Sequence, residues 1–119
     1  MCNAFEIVIA PTFLRNEVRL LCCPHIMIIG YQQLTSLSFR AKASPRLRQN
    51  YDLRNTPEDN SQRMLNALEP GTVMPIHRHR KSSETVVIVR GSLIERFYDE
   101  EGNVTEAVLM AAGGENPVV

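Results

Sequence analysis

Two histidines and one glutamate, His77, His79 and Glu84, stand close together in the second half of the chain. If Met74–His79 is extended, alternate side chains share a face, so the two imidazoles point to the same side. Residues 80–83 are polar and lack apolar periodicity, which predicts a loop leading into a strand that begins at Glu84. Imidazole nitrogens and a carboxylate suit a divalent ion such as Zn, Fe, Mn, Ni or Co. The spacing therefore predicts a metal site with coordination positions left for water or a ligand.

This spacing extends to a glycine on each side and resembles the first motif of the cupin superfamily. The fixed positions of that motif are filled by Gly71, His77, His79, Glu84 and Gly91. The flanking segments 43–54 (ASPRLRQNYDLR) and 62–72 (QRMLNALEPGT) are similar to one branch, the WbuC family of cupin-fold metalloproteins. The resemblance begins near Met27 and covers the rest of the chain. It implies an antiparallel jelly-roll barrel in which the two histidines and the glutamate bind the metal.

The resemblance also implies a class of ligand. WbuC-like proteins are associated with gene clusters for surface polysaccharides, so a sugar or nucleotide-sugar is the expected ligand. A metal-dependent isomerase or epimerase is then the expected kind of enzyme. Because one scaffold hosts many chemistries, two alternatives stay open. One is a non-catalytic module that holds a small molecule in the barrel, and the other is an inactive remnant.

The chain departs from the cupin pattern near its C-terminus. A typical cupin carries a second motif, which contributes a third histidine and the strands that close the barrel. The residues before Val119 contain no match to it, and His25 is the one other histidine in the sequence. We therefore expect a mainly all-β, cupin-type antiparallel jelly roll that is incomplete at its C-terminal end. An open sheet exposes apolar edges unless another chain covers them.

Length and charge limit the classes of function. The chain has 119 residues, which allows one domain with a modest core. Its 13 basic and 13 acidic residues cancel, so no overall charge favours nucleic acid or an anionic membrane as a partner. Its three cysteines match neither a disulfide framework nor a zinc knuckle, and a reducing cytoplasm is the simplest location. A small sugar-type molecule remains the expected partner.

The N-terminal segment, Met1–Ile26, stands apart in composition. Proline and charged residues interrupt its apolar runs well short of a membrane span, and it lacks the features of a secretory signal. Because the family resemblance begins near Met27, we expect residues 1–26 to be an extension translated from an upstream start. Residues 27–60 are expected to form a helix and a cover segment, and residues 61–119 the β-barrel portion.

Local patterns predict one helix and a first strand. Apolar residues at nearly helical spacing predict an amphipathic helix over Tyr31–Ala43, which ends because Ser44 precedes a proline. Residues 55–61 are rich in turn formers. The following residues, Gln62–Leu68, have no cleanly polar face and predict a strand with both faces partly covered.

Antiparallel β-structure is expected to dominate the C-terminal half. Ser92–Tyr98 and Val104–Met110 flank a loop that contains a glycine, a pattern that predicts a hairpin. The β-branched run in Glu84–Val89 is typical of a strand buried on both faces. One face would line the barrel and the other needs an opposing sheet or a second subunit, so a homodimer is a further hypothesis. Core positions are expected for Met64, Met74 and Met110.

Basic residues gather after the predicted helix. Arg46, Arg48 and Arg54 follow it closely, and Arg63 is the second residue of the next predicted strand. The sequence by itself favours a solvated basic face. The alternative is that guanidinium groups clamp a carboxylate or phosphate of a substrate, and the family resemblance supports Arg46, Arg48 and Arg63 in that role.

Overall fold

The computed structural model describes residues 28–119, and the expectations about the N-terminal extension, the cysteines and His25 lie outside the described residues. The described chain is mostly β, with one helix and four strands: α1 (Tyr31–Ala43), β1 (Arg48–Asp52), β2 (Met64–Leu68), β3 (Ser92–Tyr98) and β4 (Val104–Ala111). The strands form two antiparallel sheets, β1–β2 and β3–β4. The chain divides between Thr72 and Val73 into two compact units. Between residues 28 and 119, no helix has the length and apolar character that crossing a membrane requires.

Helix α1 has the predicted bounds. Leu37 and Ala41 are buried one turn apart, and they form the apolar stripe that packs against β1 and β2. Arg40 and Lys42 lie in the last turn, where a positive charge is favoured by the helix dipole. The helix ends at Ser44, whose extended backbone is the conformation favoured before proline.

Strand β1 lies within the predicted helix and cover segment, for which the sequence indicates no strand. It pairs with β2 along its whole length. The preceding residue, Leu47, has a φ of 53°, and its carbonyl accepts hydrogen bonds from the backbone N–H of Glu69 at 2.9 Å and from the hydroxyl of Thr72. Both faces of β2 carry half-buried residues, which confirms the prediction for that strand.

Strands β3 and β4 form the predicted hairpin. Leu93 pairs with Met110 on one face, and Ile94 pairs with Leu109 on the other. Met110 is fully buried, whereas Ile94 and Leu109 are 54% and 63% exposed. Only the face of the hairpin that carries Leu93 and Met110 is therefore covered, and Met110 is its most buried side chain. Of the other methionines expected in the core, Met64 is half-buried, but Met74 is exposed because it lies in a segment without strand pairing.

The prediction for Glu84–Val89 was wrong. Instead of a strand buried on both faces, the structure has an isolated bridge between Val87 and Val118, flanked by backbone hydrogen bonds between residues 86–88 and residues 117–119. Val87 and Val89 are exposed, while the two residues that alternate with them are half-buried. The β-branched residues favour an extended backbone, but burial also requires a covering layer, and one face of this run remains in solvent.

Candidate metal centre

The segment that carries the histidines, residues 74–79, belongs to no regular strand in the described chain. Pro75 contributes to this, since proline has no N–H to donate to a neighbouring strand. The two imidazoles nevertheless lie close together, as their spacing predicts. The ring centroids of His77 and His79 lie 5.2 Å apart, with an angle of 80° between the ring planes.

Glu84 completes the cluster. Its Oε2 lies 3.3 Å from Nε2 of His79, and one ligand atom from each of His77, His79 and Glu84 lies within 4.8 Å of the others. A divalent ion bound at about 2.0–2.2 Å needs donor atoms roughly 3 Å apart. The His79–Glu84 pair meets this spacing, and the farthest pair of ligand atoms would need to approach by less than about 2 Å, for which side-chain rotation is one route. All three residues are exposed, so packing does not oppose that rotation.

A backbone carbonyl orients His77. Its Nδ1 lies 3.0 Å from the carbonyl oxygen of Pro75. A carbonyl oxygen can only accept, so a neutral His77 in this contact carries its proton on Nδ1 and leaves the Nε2 lone pair free for a ligand. Histidines that bind metals are commonly oriented in this way.

The donor set fits a divalent ion. Two imidazole nitrogens and one carboxylate oxygen match the preferences of Zn and of other borderline metals, and the single negative charge of Glu84 partly offsets the charge of the ion. Three protein ligands leave coordination positions open, and the exposure of the cluster makes those positions accessible from solvent. The arrangement is therefore suited to bind an ion that also contacts a small molecule.

Both glycines of the motif have backbone conformations that favour glycine. Gly71 has a φ of 91° and Gly91 a φ of 80°. At Gly71 an added Cβ would also lie 3.3 Å from the side chain of Leu47. These conformations give a physical reason for glycine at each end of the histidine segment.

Two of the arginines near β1 and β2 have local carboxylate partners. Arg54 pairs with Asp52, with Nη2 2.6 Å from Oδ2, and this hydrogen bonding lowers the pKa of Asp52 and raises that of Arg54. Arg63 pairs with Asp59 at 3.0 Å. The pKa of Asp59 is lowered, first by the backbone N–H of Ser61 and further by Arg63.

The predicted substrate-binding arginines precede Thr72, whereas the His77, His79 and Glu84 cluster lies in the second unit. Arg46 is exposed and Arg48 is half-buried in β1. Because Arg63 already has a carboxylate partner, the structure favours a stabilising role for it in the loop before β2. A role of these arginines in substrate binding stays a prediction.

Sequence reasoning missed two contacts beside the cluster. One is the Pro75 carbonyl, for which a residue pattern gives no signal. The other is an ion pair between Arg78 and Glu100, with Nη2 2.5 Å from Oε1. Their opposite charges were visible in the sequence, but the pairing depends on how the β3–β4 turn approaches the histidine segment.

Comparison with known proteins gives a family but no function. Neither the curated proteins nor the solved structures contain a match to the chain. One family model, described as a domain of unknown function (DUF6016), matches residues 29–110. The matched range begins just before α1, contains the three residues of the cluster and ends within β4. Since the match covers most of the chain, this protein belongs to the DUF6016 family.

Proposed function

We propose that this protein binds one divalent metal ion through His77, His79 and Glu84, and that the ion contacts a small sugar-type ligand. The observation that carries the proposal is the approach of three ligand atoms to within 4.8 Å of one another. The motif spacing and the two glycines with positive φ support a cupin-type jelly roll of the WbuC kind as the finer fold.

Each of the three residues would have its own role in holding the ion. His77 presents Nε2 because its Nδ1 faces the Pro75 carbonyl, while His79 and Glu84 supply a second nitrogen and a carboxylate oxygen. A bound divalent ion supplies Lewis-acid polarisation of a carbonyl or hydroxyl oxygen. Sugars carry such oxygens on adjacent carbons, so they suit an ion with open coordination positions. If the protein is an enzyme, this chemistry favours an isomerase or epimerase.

A titration with Co²⁺ tests metal binding at this site. The metal-free full chain should develop visible absorption bands typical of nitrogen and oxygen ligands, with saturation at about one ion per chain. Glu84→Gln should weaken binding at least about tenfold, because loss of a direct ligand should cost no less than loss of a supporting contact. Glu115→Gln removes an exposed carboxylate outside the cluster and is the matched control. Equal affinities for these two variants would contradict the assignment.

The exposure of the cluster favours a second candidate, a non-catalytic binding module. Catalytic sites commonly exclude water around the reacting atoms, whereas His77, His79 and Glu84 are all exposed. In this candidate the protein holds a small ligand without converting it.

Binding of a nucleotide-sugar such as UDP-glucose separates the two candidates. The metal-dependent enzyme requires binding that is lost on treatment with EDTA, together with slow conversion of the sugar detected by NMR. Binding that survives EDTA without conversion would favour the non-catalytic module. If neither binding nor conversion occurs with any nucleotide-sugar tried, the sugar part of the proposal is wrong, while the metal site is still tested by the cobalt titration.

A further inference from the structure

We propose that Arg78 and Glu100 form a strap that positions the two histidines for metal binding, an inference that rests on the proposed function. Arg78 stands between His77 and His79 in the sequence, and its guanidinium donates to the Glu100 carboxylate at 2.5 Å. Glu100 lies in the turn between β3 and β4. The pair, here named the Arg78–Glu100 strap, joins the histidine segment to the hairpin.

The histidine segment needs a tether because its backbone has little support. Across residues 75–85 the structure shows no backbone–backbone hydrogen bond within the described chain. Strand-type hydrogen bonding resumes only at Val86, whose N–H donates to the carbonyl of Val119. Both histidines are thus carried by backbone that no strand neighbour holds in place.

The other end of the strap is firmly held. The backbone N–H of Asp99 donates to the carbonyl of Asn103 at 3.0 Å, and that of Gly102 donates to the carbonyl of Asp99 at 3.2 Å. The Asp99 carboxylate in turn accepts from the backbone N–H of Asn103 at 2.7 Å and from its side-chain amide at 3.0 Å. Glu100 therefore projects from a closed turn, and the strap connects a loosely held segment to a well-supported one.

The charge of Arg78 makes this role distinguishable from a simple electrostatic effect. A positive charge beside a cation site repels the bound ion, so the loss of the Arg78 charge should by itself tighten metal binding. A positioning role predicts the opposite, because loss of Arg78 releases the histidines. For Glu100 the two effects have the same sign, so Arg78 is the decisive position.

The experiment measures the affinity of the full chain for Zn²⁺ by competition with a chromophoric chelator. Arg78→Gln and Glu100→Gln should each weaken binding about two- to fivefold, the range expected for an exposed ion pair. The double variant should bind Zn²⁺ at least as tightly as the single variant with the lower affinity, since either change breaks the strap. Arg80→Gln and Glu101→Gln remove neighbouring exposed charges and are the matched controls. Arg80→Gln should leave the affinity unchanged or raise it.

A charge reversal separates the strap from general loss of stability. Arg78→Glu alone should weaken Zn²⁺ binding, and combining it with Glu100→Arg should restore part of the affinity. Nitrogen-15 relaxation of the His77 and His79 amides in the metal-free chain gives a second readout, and their order parameters should be lower in Arg78→Gln than in wild type. Zn²⁺ binding by Arg78→Gln that equals or exceeds that of wild type would overturn the strap, as would unchanged order parameters at His77 and His79. Absence of Zn²⁺ binding by wild type would instead overturn the proposed function, and with it the metal role of the strap.

Discussion

The Nδ1 atom of His77 lies 3.0 Å from the carbonyl oxygen of Pro75. This contact, between residues two positions apart, determines which ring nitrogen faces the backbone of the chain. His79 has a different partner, because its Nε2 lies 3.3 Å from the Glu84 carboxylate. The two histidines therefore present opposite nitrogens to their protein neighbours.

This difference predicts opposite tautomers in the metal-free protein. Neutral His77 should carry its proton on Nδ1, which faces the Pro75 carbonyl, and neutral His79 should carry its proton on Nε2, which faces the Glu84 carboxylate. Nitrogen-15 NMR shifts of the two neutral rings distinguish the tautomers directly. Metal binding through Nε2 should then shift the proton of the neutral His79 ring to Nδ1. A proton on Nε2 of His77 would show that the Pro75 contact does not orient the ring.

Because only one face of the hairpin is covered, truncating two adjacent residues of β4 should lower the free energy of unfolding by different amounts. Met110→Ala should lower the free energy of unfolding by about 2–5 kcal/mol, because it leaves a cavity at a fully buried position. Leu109→Ala removes a side chain that is 63% exposed and should change it by about 0.5 kcal/mol or less. Urea unfolding of the two variants makes the comparison. Equal costs would contradict the burial of one hairpin face.

The positive φ of Gly91 predicts how much different substitutions there destabilise the fold. An added Cβ meets no atom within 4 Å, so the cost of Gly91→Ala is backbone strain alone, about 1–2 kcal/mol. Asparagine adopts this conformation more readily, so Gly91→Asn should be less destabilising despite its larger side chain. Thermal unfolding measures both variants. A less stable asparagine variant would show that the left-handed conformation is not what selects glycine here.

The hairpin turn predicts a loss of stability in acid. Hydrogen bonds from the side chain and backbone of Asn103 lower the pKa of Asp99 from its ordinary 3.8. A carboxyl whose folded-state pKa is lowered stabilises the fold fully above its unfolded-state pKa, and this stabilisation disappears as the pH falls through the folded-state value. Asn103→Ala should raise the pKa of Asp99 towards the ordinary value, as followed by carbon-13 NMR of its carboxyl group. An unchanged pKa would mean that the amide does not stabilise the charged form.

Much of the fold follows from periodicity. Helix α1 has its predicted bounds because its apolar spacing and the proline after Ser44 act within a few residues of each other. The β3–β4 hairpin follows from its strand pattern and from Gly102, which has a φ of 85° in the turn. Local rules are sufficient for both elements.

The remaining parts depend on tertiary contacts. In β1 Tyr51 is the one aromatic side chain among polar and charged residues, so the sequence indicates a solvated face, whereas the structure pairs this segment with β2. In Glu84–Val89 the side chains favour an extended backbone, but burial depends on what covers them, which a local pattern does not contain. The cluster of His77, His79 and Glu84 was predictable from the spacing of the three residues, although the strands expected to carry them are not formed.

The metal content of the full chain is the most direct test of whether His77, His79 and Glu84 bind a metal ion. Wild-type protein equilibrated with Zn²⁺, dialysed and subjected to elemental analysis should retain about one ion per chain. His77→Ala combined with His79→Ala should retain almost none, while Arg80→Ala combined with Lys81→Ala, two changes in the adjoining loop, should retain the wild-type amount. Equal zinc content in wild type and the double histidine variant would contradict the assignment of this cluster as a metal site.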